Sequence, residues 1–408
     1  MAGKKIVAYH YRWVILFGYM ILMALQQLLW INFANITVEA AKFYNVSEIS
    51  IGLLSMVFMI AFVFVSIPCS WLIDTFGFRF AVGLGAVITG VFGLLRGIFA
   101  GNFIIVFVCQ MGIALAQPLI INAVTRVSSK WFPIGERATA GGLAWLGAYA
   151  GIIVGLTLTP YLYRGYGIQG MLLIYGVAAA AGALFFLFTA RENPPTPQSN
   201  LEQDEKTLVF DGLRKLLAKR EFIFLMLIFF IGLGAFNALA TWLEEVVKQR
   251  GFSSEQAGIM GGIMVASGIV GSAVVPMLSD KLKNRSRFIL LAVAGSVPGL
   301  LGIAFSTSYP VILASSAVLG FFLLSTAPIG FQYGAEISYP APGGTSTGVL
   351  MMMGQVSGIA FIFGMDLLKS PSTGSMTLPM IVMISLMIIC IMFTFFLKET
   401  NVIERENE

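Results

Sequence analysis

The chain has 408 residues, of which 58% are hydrophobic and only 11% are charged, with a formal net charge of +5. A soluble domain carries about 25% charged residues, so this composition excludes a water-exposed globular surface and makes the bilayer the solvent. The single histidine and the three isolated cysteines exclude a metal cluster and a disulfide framework. We expect no metal, no cofactor and no nucleic-acid partner.

Twelve apolar runs follow one another along the chain, each near the roughly 20 residues that a transmembrane helix needs. They span 13–36, 50–72, 79–100, 103–125, 139–162, 168–190, 222–244, 256–279, 288–307, 309–335, 345–368 and 377–397. Helices are the expected spanning form because they pair all their backbone groups internally. The sequence therefore predicts an all-α integral membrane protein with twelve transmembrane helices.

The widest gap between apolar runs, 191–221, separates six helices from six. Its first part, ENPPTPQSNLEQDEK, is typical of a flexible linker, and its second part, DGLRKLLAKRE, is basic and amphipathic. The second part predicts a short interfacial helix. We therefore expect a six-helix bundle over 1–190, a cytoplasmic linker over 191–221, and a second six-helix bundle over 222–408.

The distribution of Lys and Arg predicts the orientation, because cytoplasmic loops carry an excess of these residues. If the N-terminus is cytoplasmic, all but six of the 25 Lys and Arg residues lie on that side. The exceptions are Lys42, Arg96, Arg164, Lys248, Arg250 and Lys369. We expect a multi-pass protein of the cell membrane with both termini in the cytoplasm.

Two pairs of segments recur at nearly the same spacing, which indicates an internal repeat. Asp74-Thr-Phe-Gly-Phe-Arg79 follows the second helix, and Asp280-Lys-Leu-Lys-Asn-Arg285 follows the eighth, 206 residues later. Phe132-Pro133 follows the fourth helix, and Tyr339-Pro340 follows the tenth, 207 residues later. The repeat predicts two six-helix halves of the same orientation, related by an axis along the membrane normal.

The repeated aspartate loops indicate a gate. A charged loop between two helices can hold the end of a neighbouring helix in one conformation and release it in another. The alternative is an ordinary tight loop with a solvated aspartate. The residues that we assign to gating, and not to substrate contact, are Asp74, Gly77, Arg79, Arg137 and Asp280.

Amide and indole side chains occur at membrane depth on helices 1, 4, 7, 10 and 11. An unpaired amide is costly in lipid, so each of these faces the protein interior, either joining two helices or lining a cavity. As a set they predict a neutral, amide-rich and aromatic cavity. They are Gln26, Gln27, Trp30, Asn32, Asn35, Gln110, Gln117, Asn122, Asn237, Trp242, Gln332 and Gln355.

The repeat and the estimated depths select four of these side chains. Trp30 and Asn237 are 207 residues apart, so they occupy equivalent positions and are predicted to face each other across the axis. Gln117 and Gln355 fall within roughly 5 Å of their helix midpoints. We predict that these four bind substrate, with Gln27, Asn32, Trp242 and Gln332 as further candidates. Such a site suits a cation on the indole face, or a neutral or zwitterionic solute.

Several segments resemble one known family. They include Trp30-Ile-Asn-Phe33, Trp71-Leu-Ile-Asp-Thr75 and the run from Pro328 to Pro340, PIGFQYGAEISYP. These are similar to the feline leukaemia virus subgroup C receptor family, which consists of major facilitator carriers associated with choline and ethanolamine transport and haem export. The resemblance implies the major facilitator fold. It also implies that Trp30, Gln117 and Gln355 are substrate residues, whereas Asn237 stands where the family's choline site has a tyrosine.

We therefore expect a monomeric secondary transporter in the lipid bilayer, moving a small cationic or zwitterionic solute such as a choline- or ethanolamine-like amine by alternating access. Within transport, the alternative is an exporter of haem or another amphipathic or drug-like compound, with or without proton coupling. A non-transporting membrane receptor is the alternative of another class. An enzyme is not expected, because neither a nucleophile nor a set of metal ligands occurs at membrane depth.

Overall fold

The computed structural model describes residues 9–196, 214, 216–252, 254–338, 343–370 and 375–399, and within these ranges it contains helices and no strand. The first half contains helices α1 Tyr11–Ile31, α2 Thr37–Tyr44, α3 Glu48–Phe76, α4 Phe78–Ile98, α5 Phe103–Ile121, α6 Val124–Trp131 and α7 Arg137–Thr189. The second half contains α8 Arg220–Lys248, α9 Ser254–Lys281, α10 Arg285–Phe305, α11 Tyr309–Ser338, α12 Gly343–Leu368 and α13 Thr377–Thr394. Short 3₁₀ turns cover Ala34–Ile36 and Ile134–Glu136.

Within the described ranges, eleven helical segments are long and apolar enough to cross a membrane. One of them contains α7, which has 53 residues and would extend about 80 Å at ~1.5 Å per residue, against a hydrocarbon core of about 30 Å. Gly167 interrupts this helix with φ 68° and ψ −177°, a conformation that glycine adopts readily. The expected total of twelve helices therefore depends on counting α7 as two passes, one on each side of Gly167.

Small residues allow α1 and α7 to pack backbone against backbone. Gly147, Gly151 and Gly155 lie four residues apart on α7, and a Cβ atom at any of them would collide with α1. At Gly151 the obstacle is the carbonyl oxygen of Ala24. Close approach through small residues is a common way for membrane helices to associate, because lipid provides no hydrophobic driving force between them.

The chain divides into two compact units. The first consists of residues 1–133, 143–211 and 342–348, and the second of residues 134–142, 212–341 and 349–408. This division differs from the sequence-based halves at residues 134–142, which belong to the second unit, and at residues 342–348, which belong to the first. These two segments occupy equivalent positions in the repeat. Of the predicted linker 191–221, residues 197–213 and 215 lie outside the described residues, and these include four residues of the predicted interfacial helix over 211–221.

Candidate functional site

Asp74 caps the start of α12 in the first unit. Its Oδ1 accepts a hydrogen bond from the backbone N–H of Gly344 at 3.0 Å. Its Oδ2 accepts from the backbone N–H and the hydroxyl of Thr345, both at 2.7 Å. A carboxylate in this position satisfies backbone donors that the first helical turn leaves unpaired, and it interacts favourably with the helix dipole.

Asp280 makes the equivalent contacts in the second unit. Its Oδ2 accepts from the backbone N–H and the hydroxyl of Thr139, both at 2.7 Å, in the first turn of α7. Thr139 and Thr345 are separated by 206 residues, the same spacing as the two aspartates. The repeat detected in the sequence therefore extends to the helix start that each aspartate caps.

The second unit adds a buried ion-pair network to its cap. Arg285 is fully buried, pairs with Asp280, and lies 3.3 Å from Glu336. Gln332 donates to the same Glu336 oxygen at 2.9 Å. Gln332, a candidate substrate residue by sequence, thus uses its amide N–H group within this network.

Glu192 and Glu399 are two further caps that the sequence analysis missed. Glu192 accepts from the backbone N–H groups of Phe78 at 3.3 Å and Arg79 at 2.7 Å, at the start of α4. Glu399 accepts from Arg285 at 2.7 Å and Ser286 at 3.0 Å, at the start of α10. The two glutamates are 207 residues apart, and this spacing was the available signal.

The carboxylate of Glu192 is half-buried and lies directly against Gly77. Burial raises the pKa of the Glu192 carboxyl above its ordinary value, and its hydrogen bond from Arg79 is the main effect opposing this rise. Gly77 connects α3 to α4 with φ 87°, and a Cβ atom there would collide with the Glu192 carboxylate. The positive φ favours glycine at this position, and a larger residue would also require the end of the Glu192 side chain to shift.

The two arginines in the predicted gating set differ in exposure. Arg79 is exposed, so it does not reproduce the buried position of Arg285, its counterpart in the repeat. Arg137 is buried at the first residue of α7, two residues before the capped Thr139.

Two of the amides predicted at membrane depth join helices, and of these Asn122 keeps its buried Oδ1 atom without a partner among the described residues. Gln26 donates to the carbonyl of Ile113 at 2.8 Å and accepts from the Thr89 hydroxyl at 3.1 Å. Asn122 donates to two serine hydroxyls of α3, those of Ser66 and Ser70, each at 3.0 Å. These amides serve the packing of the first unit.

A second group of amides makes no such contacts. The side chains of Gln117, Asn237 and Gln355 form no hydrogen bond with any part of the chain that the structure describes. Asn32 is fully buried with both amide atoms unpaired, and the buried oxygen of Gln27 is also unpaired. Leaving a buried amide unpaired costs about 1–3 kcal/mol, a cost that applies to Asn32 and Gln27, whereas Asn237 and Gln355 are half-buried. All five side chains retain hydrogen-bonding groups that a polar ligand can use.

The two tryptophans of the predicted site are both anchored through their indole N–H groups. Trp30 donates to the carbonyl of Ser55 at 3.2 Å, and the Ser55 hydroxyl donates to the carbonyl of Trp30 at 3.3 Å. Trp242 donates to the carbonyl of Ile362 at 3.1 Å, and the ammonium of Lys369 lies 5.7 Å from the centre of its ring. The ring of Trp242 therefore already interacts with a cation, whereas no cation–π partner is found for Trp30 among the described residues.

The fold is that of known solute carriers. The E. coli fucose:proton symporter FucP superposes with a TM-score of 0.79 at 15% identity, over 97% of this chain and 100% of that one. The proton:xylose symporter XylE superposes with a TM-score of 0.75 at 15% identity, over 96% of this chain and 97% of that one. The family model of the Major Facilitator Superfamily matches residues 15–362. The chain belongs to the major facilitator superfamily.

Relatives within this superfamily confirm the resemblance inferred from the sequence. Solute carrier family 49 member A3 of Xenopus tropicalis is 30% identical over 382 residues, which cover 89% of this chain and 79% of that protein. The choline/ethanolamine transporter flvcr2a of Danio rerio is 29% identical over 374 residues, covering 86% and 79%. The choline/ethanolamine transporter FLVCR1 of Mus musculus is 28% identical over 404 residues, covering 90% and 72%.

Proposed function

We propose that this major facilitator protein is a secondary transporter of a small organic amine, cationic or zwitterionic, and that Trp30, Gln117, Asn237 and Gln355 contact the solute. The main support for the proposal is that some membrane-depth amides join helices, whereas others form no side-chain hydrogen bond with the described residues. Gln26 and Asn122 join helices, whereas three of the four proposed residues are unpaired amides. The names of the choline/ethanolamine transporters among its relatives support an amine as the solute.

The chemistry of Trp30 favours a cation. Its N–H group is occupied by the Ser55 carbonyl, which fixes the orientation of the indole and leaves the ring face as the part that can interact with a ligand. An ammonium group over a tryptophan face gains about 0.5–2 kcal/mol. The neutral amides of Gln117 and Gln355 can accept or donate hydrogen bonds without imposing a charge.

Asn237 is suited to distinguish a primary amine from a quaternary ammonium group. A tyrosine ring attracts a quaternary ammonium group through its face, whereas the amide oxygen of Asn237 requires an N–H donor. A protonated primary amine provides such a donor, and a quaternary ammonium does not. We therefore propose that this transporter prefers an ethanolamine-like amine to choline.

Ligand binding to the purified, monodisperse protein tests this function. Calorimetric titrations with ethanolamine, choline and haem should give binding of the primary amine, weaker binding of choline, and none of haem. Trp30→Ala and Gln355→Ala should each weaken the binding of ethanolamine. Trp13→Ala is the matched control, because Trp13 is an exposed indole at the opposite end of α1. Unchanged affinity in both site variants would eliminate this site, and binding of haem alone would favour the alternative substrate.

Transport requires the two aspartate caps to open and close. We propose that Asp74 and Asp280 hold the starts of α12 and α7 in one conformation and release them in the other, which produces alternating access across the cell membrane. Uptake by proteoliposomes separates a transporter from a receptor. Binding without any uptake of ethanolamine would support a non-transporting receptor instead.

A further inference from the structure

A buried arginine in the first unit has no role in the proposed amine site or in the gates. Arg96 lies in the last turn of α4 and is 0% exposed. Its Nη1 donates to Gln110, and its guanidinium lies 5.8 Å from the centre of the Phe33 ring. Its Nε and Nη2 atoms are buried without a hydrogen-bond partner. A buried charge is costly unless it is compensated, so an arginine buried in the last turn of a membrane-spanning helix is a candidate functional group.

The Gln110 side chain holds Arg96 in a fixed position. Its Nε2 donates to the carbonyls of Leu29 at 3.2 Å and Leu54 at 3.1 Å, on α1 and α3. Because both donor hydrogens are occupied, the Oε1 atom must face Arg96 and cannot exchange places with the nitrogen. The guanidinium is therefore immobilised with its remaining N–H groups directed away from this partner.

Tyr44, at the end of α2, supplies a second unsatisfied donor. Its hydroxyl is buried without a hydrogen-bond partner, and it lies within electrostatic range of Arg96. Burial raises the pKa of Tyr44 to about 12, so the hydroxyl keeps its proton at neutral pH. Among the residues that the structure describes, the titratable groups that interact electrostatically with Arg96 are Tyr44, Cys109 and Tyr175, and none of these is a carboxylate.

The six-helix fold does not itself require this arginine. Position 303 is the counterpart of position 96 in the repeat, and there the last turn of α10 has a buried isoleucine. Gly251 and Ala317 are the counterparts of Tyr44 and Gln110. The second half thus builds the same helices without any of these three polar side chains.

We propose that Arg96 and Tyr44 bind a small monovalent anion, for which chloride is the simplest free ion. The unsatisfied atoms are N–H and O–H donors, so the ligand must be an acceptor. A negative charge is required as well, because a neutral acceptor would satisfy the hydrogen bonds and leave the guanidinium charge uncompensated. The carboxylate of a zwitterionic solute has the same chemistry, and the test separates these two sources.

Thermal denaturation of the purified protein measures the binding of chloride. At constant ionic strength, replacing sodium gluconate by sodium chloride should raise the melting temperature in a saturable manner, since a ligand of the folded state stabilises it. Tyr44→Phe should raise the half-maximal chloride concentration about tenfold, because it removes one hydrogen bond to a charged ligand. Arg96→Gln should abolish the response. Arg164→Gln is the matched control, because Arg164 is exposed.

Tyr44→Phe preserves the ring and keeps the proposal testable if Arg96→Gln does not fold. Equal melting temperatures in chloride and gluconate would overturn a chloride site. If betaine stabilises the protein through Arg96 whereas choline and chloride do not, the anion is the carboxylate of the solute. A chloride response that persists in both variants, or no response to any of these anions, would refute the proposed site. These results do not depend on whether ethanolamine is transported.

Discussion

Replacing Asp74 by asparagine removes the charge from the cap of α12 and leaves the shape of the side chain almost unchanged. The carboxylate accepts three hydrogen bonds, one at Oδ1 from Gly344 and two at Oδ2 from Thr345. Asparagine has only one acceptor oxygen, so at least one of these bonds is lost. The loss of a hydrogen bond and of the charge–dipole interaction together amounts to about 1–2 kcal/mol.

This free energy should appear in the conformational equilibrium. If the cap is present in only one conformation of the transport cycle, Asp74→Asn shifts the equilibrium about 5–30-fold towards the conformation without it. We expect slower uptake by proteoliposomes, with ligand affinity changed by no more than a few-fold. Labelling of a single introduced cysteine on each side of the membrane measures the shift directly.

A double-mutant cycle tests whether the loss of the cap causes the shift in the conformational equilibrium. Thr345→Val removes only the hydroxyl donor, so its effect should be smaller than that of Asp74→Asn, and the two effects should not add. Asp280→Asn should act in the same manner but more strongly, because Asp280 also pairs with the buried Arg285. Loss of ligand binding in Asp74→Asn, or strict additivity with Thr345→Val, would refute the gating role.

Three further predictions concern topology, the amine site and the second pair of caps. A cysteine at Lys206 should react with impermeant reagents only after the cell membrane is opened, and labelling of sealed cells would contradict the predicted orientation. Trp30→Ala should weaken the binding of an amine about 2–30-fold, and Trp30→Phe should weaken it by less. Asn237→Tyr should strengthen the binding of choline. Isothermal titration calorimetry on monodisperse protein measures all three effects. Glu192→Gln and Glu399→Gln should each destabilise the protein by about 1 kcal/mol in thermal denaturation without changing ligand affinity, and a large loss of affinity would contradict a purely structural role.

Much of the fold could be predicted from the sequence, because membrane spans need long apolar runs and a repeat needs only a constant spacing. The break in α7 was correctly placed between the predicted runs 139–162 and 168–190, since Gly167 lies in that gap. The assignment of residues 134–142 and 342–348 to compact units was not predictable. It depends on the two aspartate caps, whose partners are distant in sequence.

The candidate site was less predictable, because hydropathy does not distinguish an amide that joins helices from one that faces a ligand. Gln26 and Gln117 look alike in the sequence, and only the contacts of Gln26 with Ile113 and Thr89 separate them. Arg96 was placed near the outer end of its helix from its position alone. Its complete burial and its contact with Gln110, which in turn donates to carbonyls of α1 and α3, depend on packing that one-dimensional patterns do not describe.

Within the proposed function, the repeat between the two halves distinguishes the proposed gating residues from the proposed ligand-binding residues. The gating aspartates recur as a pair, because Asp74 and Asp280 are 206 residues apart and cap equivalent helix starts. A transporter that alternates between two conformations needs helix contacts in both halves that break and re-form, so equivalent residues suit the gates.

The unpaired polar side chains show the opposite pattern. Gln117 has Leu324 as its counterpart in the repeat, and Gln355 has Ala148. A small amine has no twofold symmetry, and a site that binds it in one orientation must present different groups on its two sides. Departures from the repeat at membrane depth are therefore the places where ligand specificity is expected. Replacing Gln117 by its counterpart, Gln117→Leu, should weaken amine binding. The conformational equilibrium, measured by cysteine labelling, should remain unchanged. If this variant instead shifts the equilibrium and retains its affinity, Gln117 belongs to the gate.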